Sequence, residues 1–360
     1  MNGTDPLSIA RQQLADAISL YQPPTHSPLN VSPWIAMSAL QKAIRRGQEN
    51  LAQRAAATLL SVSPERLWRR CGAIAFEDVG VADLDTVSLV TAALAGKRFR
   101  AQLGGEWPVA SFIVSKMVQA PKCRAADDLL LAAESHPAYE QARRELPSLT
   151  VQELTDIATG SAPLLMRALA LWYAVGTQRR PSSHLRLRKG DPAAAFDALY
   201  DLGIPTTVVE IAREGFRKVG EILSPFVALL SPMRQQATAN TEDDESPPEI
   251  MIGDVPSWAY DTYTREGRRA LAVFLEGSSE TARWVHNHIP PKQRVSFLGT
   301  IVFRVEGGAV KSRLRWPTAD DLRRLVDIEC NGPHCPDATE VLQLMRADLT
   351  ALNEVRRHVC

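Results

Sequence analysis

The spacing of apolar residues is the feature that most restricts what this chain can fold into. Through the first half, apolar side chains recur at intervals of three and four residues, which is the period of an amphipathic helix. Within 34–47 the stripe consists of Ile35, Met37, Leu40 and Ile44, and Gly47 is a typical helix stop. No alternation of strands with helices occurs in this half, so the sequence predicts a mainly α fold built from antiparallel helix pairs.

Changes in composition divide the chain into four parts. We predict an N-terminal arm at 1–33, a helical domain at 34–235, a linker at 236–256 and a mainly helical C-terminal domain at 257–360. The linker contains the sequence TEDDESPPE, whose acids, serine and paired prolines are typical of a flexible segment.

Residues 301–316 fit two structures equally well. A small β-hairpin with a two-residue turn at Gly307-Gly308 suits the alternation of apolar and polar residues that involves Phe303, Val305, Val310, Leu314 and Trp316. A helical stripe also suits part of the segment, through Leu298, Ile301, Val302 and Val305. The predicted fold class therefore keeps one hairpin near 301–316 as an open alternative.

Charge and cysteine content exclude several classes of protein. The 360 residues include 41 Lys and Arg against 41 Asp and Glu, which excludes a uniformly basic nucleic-acid-binding protein and a highly charged disordered one. The apolar stretches are too short or too interrupted to span a bilayer, and the first 21 residues lack a signal-peptide pattern. Five cysteines form no disulfide framework, so we expect a cytoplasmic protein without a membrane partner.

Motifs for nucleotide and metal chemistry are mostly missing from the sequence. No G-x-x-x-x-G-K-[ST] loop occurs, so we expect neither ATP binding nor ATPase activity, and we predict no cofactor. The weak metal candidates are Cys330, His334 and Cys335, with a fourth ligand from the C-terminal tail. Their alternative is a Gly-Pro turn with incidental Cys and His. His286 and His288 match a nuclease motif in letters only, because consecutive residues on a helix point in different directions.

Three basic clusters are the remaining candidates for a binding site. They consist of Lys42, Arg45 and Arg46 on one helix, Arg66, Arg69 and Arg70 on a second, and Arg186, Arg188 and Lys189 in a loop at 176–190. Clustered arginines create a local field that attracts phosphates even on a neutral protein. The alternative is a set of solvated helix faces whose side-chain stems pack on neighbours.

Two stretches of the chain resemble a known family. They are WIAMSALQKAIRRGQENLAQRAAATLL and SPERLWRRCGAIAFEDVGVAD, followed by an Ala-Pro-Lys segment between two helices. Together they are similar to the C-terminal region of the RarA/MgsA proteins, whose eukaryotic relatives are the Werner helicase-interacting proteins. Besides Lys42, Arg45 and Arg46, the matching residues are Ser38, Leu40, Glu77, Asp78, Gly80, Asp83, Pro121 and Lys122.

The resemblance covers about 34–135 and implies an all-α module. Proteins of that family are AAA+ ATPases related to clamp loaders, and this region joins their subunits as the helical collar does in clamp loaders. The resemblance implies structural roles for Glu77, Asp78 and Asp83, whose carboxylates can cap helices or pair with arginine. The ATPase domain of the family would precede this module, and the residues before 34 contain no P-loop. ATP-driven remodelling is therefore not carried over.

Three hypotheses of function follow. The leading one is a non-enzymatic protein of DNA replication, recombination or repair that forms a homo-oligomer, or docks on an AAA+ ATPase partner, through the RarA-like module. The second is a nucleic-acid-processing enzyme with its site in the C-terminal half, at the histidines or the cysteine cluster. The third is a purely structural interaction protein that does not contact nucleic acid. Bound zinc would favour the second, and salt-dependent DNA binding would favour the first over the third.

Overall fold

The computed structural model describes residues 5–360, and helices dominate them. The prediction of a mainly α fold is confirmed. The helices of the first two-thirds are α1 (Pro6–Ser19), α2 (Pro33–Arg45), α3 (Glu49–Val62), α4 (Pro64–Ile74), α5 (Leu84–Ala93), α6 (Lys97–Gln102), α7 (Glu106–Gln119), α8 (Ala125–Ser135), α9 (Glu140–Glu145), α10 (Val151–Thr159), α11 (Leu164–Val175), α12 (Pro192–Asp201), α13 (Thr206–Val219) and α14 (Leu223–Gln236). The remaining helices are α15 (Arg265–Leu275), α16 (Glu280–His288), α17 (Arg294–Val302), α18 (Pro317–Glu329) and α19 (Ala338–Val359).

Short turns and strands join these helices. Two π-helical turns extend α4 and α17, at Ala75–Val79 and Phe303–Gly307. Single 3-10 turns lie at Gly80–Ala82, Pro137–Tyr139, Leu146–Ser148, Ser257–Ala259 and Pro291–Gln293. The strands are β1 (Asn240–Glu242), β2 (Met251–Ile252), β3 (Val255–Pro256) and β4 (Arg313–Arg315). None of the helices within 5–360 combines the length and the apolar character that a bilayer crossing needs.

The small β-structure differs in position from the predicted hairpin. A tight hairpin forms between β2 and β3, whereas β4 pairs antiparallel with the distant β1, placing Thr241 opposite Leu314. Residues 301–307 are helical, so the turn at Gly307-Gly308 does not join two strands. The helical alternative is the one observed, because burying the stripe against α15 and α19 removes Leu298, Ile301 and Val302 from water.

Two hydrophobic cores organise the chain, and their boundary differs from the predicted domains. The larger core takes side chains from α1 to α14, from 255–260 and also from β4 and α18. The smaller core lies between α15, α16, α17 and α19. The predicted N-terminal arm contributes a packed helix, since Ala10, Leu14 and Ile18 of α1 are buried in the larger core. Helix α18 therefore belongs with the N-terminal part of the chain, against α8.

The segment 236–256, predicted to be a flexible linker, is held against both parts of the chain. Its Asp244 pairs with Arg313 at 2.5 Å. The Trp258 indole Nε1–H donates to Glu249 at 2.5 Å, and the Asn353 amide donates to the Pro248 carbonyl at 2.8 Å. The acids of this segment are therefore fixed in ion pairs and hydrogen bonds instead of being spread along a free linker.

Gly80 lies in the connection between α4 and α5, where the backbone passes close to the start of α8. Its φ is 52° and its ψ is −135°, a backbone conformation that side chains with a Cβ rarely adopt. A Cβ built on Gly80 would lie 2.7 Å from the carbonyl oxygen of Cys123, which belongs to the backbone just before α8. The close approach brings the π-helical turn Ala75–Val79 against α8.

We predict that Gly80→Ala destabilises the protein more than Gly253→Ala. Both glycines have positive φ, but a Cβ on Gly253 would meet nothing within 4 Å. The control should therefore show only the backbone cost of about 1–2 kcal/mol. The clash with the Cys123 carbonyl should add about 1–3 kcal/mol for Gly80→Ala. Urea unfolding of the two variants measures the difference, and equal losses would contradict the close approach.

Candidate functional site

A buried network of charges lies where α2, the π-helical turn after α4 and α8 meet. Asp78 is fully buried and accepts hydrogen bonds from Arg45 Nε at 2.7 Å, Arg124 Nη1 at 2.5 Å and Gln41 Nε2 at 3.0 Å. The neighbouring Glu77 accepts from Arg45 Nη2 at 2.6 Å and from Arg124 Nη1 at 3.1 Å. Two carboxylates thus share two guanidinium groups from different helices.

The pKa values within this network follow from burial and from the paired charges. Burial opposes the ionisation of Glu77, but the guanidinium groups of Arg45 and Arg124 outweigh it and lower the pKa of Glu77 to about 2. Burial likewise disfavours the charged form of Arg124, yet its carboxylate neighbours Asp127, Asp78 and Glu77 raise its pKa well above the ordinary value. Glu77 and Arg124 therefore stay ionised through the physiological range.

The basic face of α2 is covered by the C-terminal part of the chain. Lys42 Nζ donates to Asp261 Oδ2 at 2.5 Å and to the Trp258 carbonyl at 2.6 Å. Arg45 donates to the Gly307 carbonyl at 2.7 Å, and Arg46 donates to the Glu306 carbonyl at 2.6 Å. The Arg46 guanidinium also lies over the Trp258 ring, 4.6 Å from its centroid.

This placement corrects the expectation that Lys42, Arg45 and Arg46 face nucleic acid. Lys42 and Arg45 are buried, and the guanidinium of Arg46 is used inside the protein. Burial also lowers the pKa of Lys42 and lowers that of Arg46 to about 10. These cations bind groups inside the protein: Lys42 and Arg46 contact 258–261 and 306, and Arg45 contacts Glu77, Asp78 and the Gly307 carbonyl.

The other predicted basic residues lie nearer to solvent. Arg66 and Arg69 are exposed on α4, and the Arg66 guanidinium lies 5.0 Å from the centroid of the Trp34 ring. Arg70 is half-buried and donates to Gln41 at 3.1 Å. Of the three predicted basic residues in the loop 176–190, Arg186 and Lys189 are exposed, whereas the half-buried Arg188 donates to the Pro147 carbonyl at 2.5 Å.

The remaining residues of the family resemblance line up along the same helices. Leu40 is buried in the larger core, and Ser38 donates to Asp261 at 2.8 Å. Asp83 caps α5 by accepting from the Thr86 amide at 3.0 Å. These contacts join the RarA-like region to its neighbours through helix ends and buried polar groups.

Lys122, after the half-buried Pro121, is buried at the carbonyl end of α7. Its Nζ donates to the carbonyls of Val118, at 3.1 Å, and Ala120. Burial lowers the pKa of Lys122 to about 8, although its charge suits the negative end of the helix dipole. A structural role at this helix end accounts for its contacts.

The metal and nuclease candidates do not assemble a site. No group of three or more His, Cys, Asp or Glu among residues 5–360 could hold a metal ion, which includes Cys330, His334 and Cys335. His286 and His288 bond to different carbonyls of the same region, Leu275 at 2.8 Å and Trp284 at 2.9 Å.

A cleft of about 740 Å³ lies between the RarA-like region and the C-terminal part of the chain. It is lined by residues of α2, α4 and α8 and by residues of 261–263, α17, the second π-helical turn and α18. The loop 176–190 contributes Arg180, Ser183 and His184 at the edge. Sequence analysis missed this cleft, because its residues are scattered from 34 to 330 and no local motif connects them.

Three carboxyl groups that line the cleft have raised pKa values. Burial raises the pKa of Asp127 to about 7, against the opposing charge of Arg124 and with the support of the negative Glu77. Burial also raises the pKa of Glu221 to about 7 and that of Asp128 to about 6. Near pH 7 these carboxyl groups are therefore only partly ionised, and the lining of the cleft is less negative than the number of its acidic residues implies.

Aromatic and basic side chains meet at the edge of the cleft. Trp34 and Tyr263 both line it, with 55% and 74% of their surface exposed. Arg70 and Arg180 line it as well, and both lie close enough to Glu221 to affect its pKa. No sequence pattern indicated this arrangement, since the aromatic residues are not interleaved with the arginines along the chain.

Comparisons with known proteins add no further constraint. The chain matches no protein-family model, no curated protein and no solved structure. The resemblance to the RarA proteins therefore depends on the motif residues alone, and the function must be argued from the cleft and its charged edge.

We predict that Arg45→Ala destabilises the protein by about 3–5 kcal/mol, because it leaves Asp78 and Glu77 buried with only one of their two guanidinium partners. The control, Arg69→Ala, removes an exposed arginine from α4 and should cost less than about 0.5 kcal/mol. Chemical denaturation measures both values. A small loss for Arg45→Ala would show that the network contributes little to folding.

The raised pKa of Glu221 predicts a dependence of stability on pH. Its pKa is about 7 in the folded protein against an ordinary value of 4.5, so the folded state keeps this proton to higher pH. The resulting stability is complete below about pH 4.5 and is lost as the pH rises through 7. Glu221→Gln should therefore raise stability at pH 8, by about 1 kcal/mol after solvent screening, and change it little at pH 4.5.

Thermal unfolding at the two pH values checks this expectation, with Glu65→Gln as the control. Glu65 is an exposed carboxylate on α4, near the same edge of the protein. An equal gain for both variants at pH 8 would show that general charge, and not the buried position of Glu221, is responsible.

Proposed function

We propose that this chain is a non-enzymatic cytoplasmic protein of DNA replication, recombination or repair that binds single-stranded DNA at the edge of its cleft. In this proposal the RarA-like region serves self-association or docking on an AAA+ partner, as the family resemblance implies. The basic residues that contact DNA differ from those expected first, because the basic face of α2 is buried.

The observation that supports the proposal is that two separate segments with exposed cations, α4 and the loop 176–190, both contribute arginines to the lining of the cleft. Arg66 and Arg69 project from α4, whose Arg70 lines the cleft, and Arg180 lines the cleft from the loop 176–190. This loop includes further exposed cations at Arg179, Arg186 and Lys189, and no acidic residue. Phosphates are attracted to such a local concentration of positive charge whatever the net charge of the protein.

Exposed aromatic rings at the same edge favour a single strand over a duplex. Unpaired bases stack on exposed aromatic side chains, and this stacking is tolerant of sequence. Trp34 and Tyr263 expose most of their surface at the cleft. The Arg66 guanidinium over Trp34 adds a cation–π contact that holds the ring in place.

The partner-binding part of the proposal is supported by the family resemblance, which covers about 34–135. The cleft lies beside this region and is not formed by it alone. A partner and DNA can therefore be bound by different faces of the chain.

We predict that replacing Arg66, Arg69 and Arg180 with glutamine weakens the binding of labelled single-stranded DNA at least tenfold at low salt. If each arginine contacts one phosphate, the log–log salt slope should fall by about 2, at about 0.7 per contact on a single strand. Fluorescence anisotropy over a range of salt concentrations measures both quantities.

The matched control replaces Arg144, Arg283 and Arg357 with glutamine. These three are exposed and paired within their own helices, so the control removes the same charge from other surfaces. Equal weakening by the two triple variants would show that net charge alone matters. Absence of binding by the unaltered chain would refute the DNA-binding proposal.

A further inference from the structure

We propose that the acidic segment 240–245, here called the acidic strap, occupies a second phosphate-binding site that nucleic acid can take over. The site lies at the turn before β4 and at α18, whose Arg323 also lines the cleft. The proposal relies on the proposed function only for the kind of ligand, since the anion site is defined by its own donors.

Asp244 is held by donors of the kind that bind phosphate. Its Oδ2 accepts from the Val310 amide at 3.0 Å and from Arg313 Nη2 at 2.5 Å. Its Oδ1 accepts from Arg313 Nε at 2.8 Å and from Arg323 Nη1 at 3.1 Å. A forked guanidinium, a second guanidinium and a backbone amide thus surround one anionic group, as they would surround a phosphate.

The backbone before β4 is shaped to present its amides to this group. Ser312 has a φ of 55° and is the one residue other than glycine within 5–360 whose φ is positive. Its amide donates to Asp243 Oδ1 at 2.8 Å, next to the Val310 amide that donates to Asp244. A non-glycine residue in this conformation costs free energy, which is typical of sites shaped for a ligand.

Further along the strap, Glu242 extends the contact. Arg315 Nη1 donates to Glu242 at 3.1 Å, while Arg315 Nε donates to Asp320 at 2.5 Å. Glu242 and Asp244 are alternate residues of an extended segment and meet successive arginines. The strap therefore lays a row of negative charges along a row of arginines, as a nucleic-acid backbone would.

The strap is attached by polar contacts. From 238 to 249 no residue is fully buried, and the pairing of β1 with β4 covers three residues on each strand. The Glu242–Arg315 pair is exposed, so it adds little net stability and is screened by salt, whereas the Asp244–Arg313 pair is largely buried, with 13% and 8% of the two side chains exposed. A polyanion can therefore compete for Arg315 at little cost, and at Arg313 it must supply a phosphate in place of the Asp244 carboxylate.

Release of the strap would enlarge the cleft and leave it more positive. A smaller cavity of about 190 Å³ lies against the strap, and Arg304 and Arg323 line both this cavity and the large cleft. Arg346 lines the smaller cavity and has no carboxylate within ion-pair distance among residues 5–360. With Arg313 and Arg315 uncovered, the surface would hold five arginines beside three carboxylates, namely Asp128, Asp320 and Asp327.

A purely structural strap is the competing explanation. In that case Asp244 only clamps β4 and α18, and neutralising the strap would lower stability without any gain in DNA binding. The two explanations therefore make opposite predictions for the affinity of a strap variant, and they also differ in what DNA does to the strap of the unaltered chain.

The test neutralises the strap with Glu242→Gln, Asp243→Asn and Asp244→Asn together. We expect the affinity for labelled single-stranded DNA to rise at least tenfold at low salt, with a salt slope steeper by about 2, because about three more phosphates are contacted. The matched control, Glu140→Gln with Glu280→Gln and Glu354→Gln, removes the same charge from exposed ion pairs on other helices. An equal rise in the control would overturn the proposal.

A second arm separates this proposal from the first binding site. The strap variant is repeated with Arg66, Arg69 and Arg180 replaced by glutamine, and the gain should persist, because the strap covers different arginines. If that background abolishes the gain, the strap covers no independent site and the proposal is wrong. If the variant without these three arginines does not bind DNA and the added strap substitutions restore binding, the acidic strap covers an independent site and the proposed function at the Arg66 site is tested separately.

If the strap variant fails to fold, hydrogen exchange of the unaltered chain tests whether DNA displaces the acidic strap. Saturating single-stranded DNA should speed amide exchange in 240–245, since the strap leaves, and should keep the Val310 and Ser312 amides protected by phosphate. Unchanged exchange of the strap in the DNA-bound protein would overturn the proposal.

Discussion

The arrangement of the whole chain depends on two arginines that share two buried carboxylates. Arg45 from α2 and Arg124 from the start of α8 both bond to Asp78, which is fully buried, and both guanidinium groups lie 5.3 Å from the Phe303 ring. Neither the carboxylates nor the cations could be buried alone, because an unpaired buried charge costs several kcal/mol (on the order of 3–5). The N-terminal helices and the second π-helical turn must therefore meet at this point.

Helix α2 also forms polar contacts with the segments that build the smaller core. Arg46 donates to the backbone carbonyl of Glu306, whose own carboxylate is buried and held by Arg356 of α19 at 2.8 Å. Lys42 makes the parallel contact to Asp261, before α15. A line of paired charges thus runs from the larger core to the last helix. The cleft beside it has walls from both cores, so its shape is set by these pairs as much as by apolar packing.

Sequence patterns could identify the helices but could not locate their charged partners. The stripe of Ile35, Leu40 and Ile44 correctly predicted α2, since local period alone determines which face is apolar. The same pattern placed Lys42 and Arg45 on a solvated face, because their partners at 77–78 and 258–261 are brought close only by the tertiary fold. The composition of 236–256 predicted a flexible linker, and it could not show that arginines from β4 and α18 would hold this segment.

A neutral net charge is compatible with nucleic-acid binding in this chain because its charges are unevenly paired. Most of the arginines in the interior and on the β4 side already face carboxylates, and the acidic strap supplies several of these. The arginines of α4 and of the loop 176–190 face mostly solvent and exposed aromatic rings. What a phosphate meets is the local excess of unpaired cations, and this excess can be large on one edge while the sum over 360 residues is zero. The balance of 41 against 41 therefore does not limit what the edge can bind.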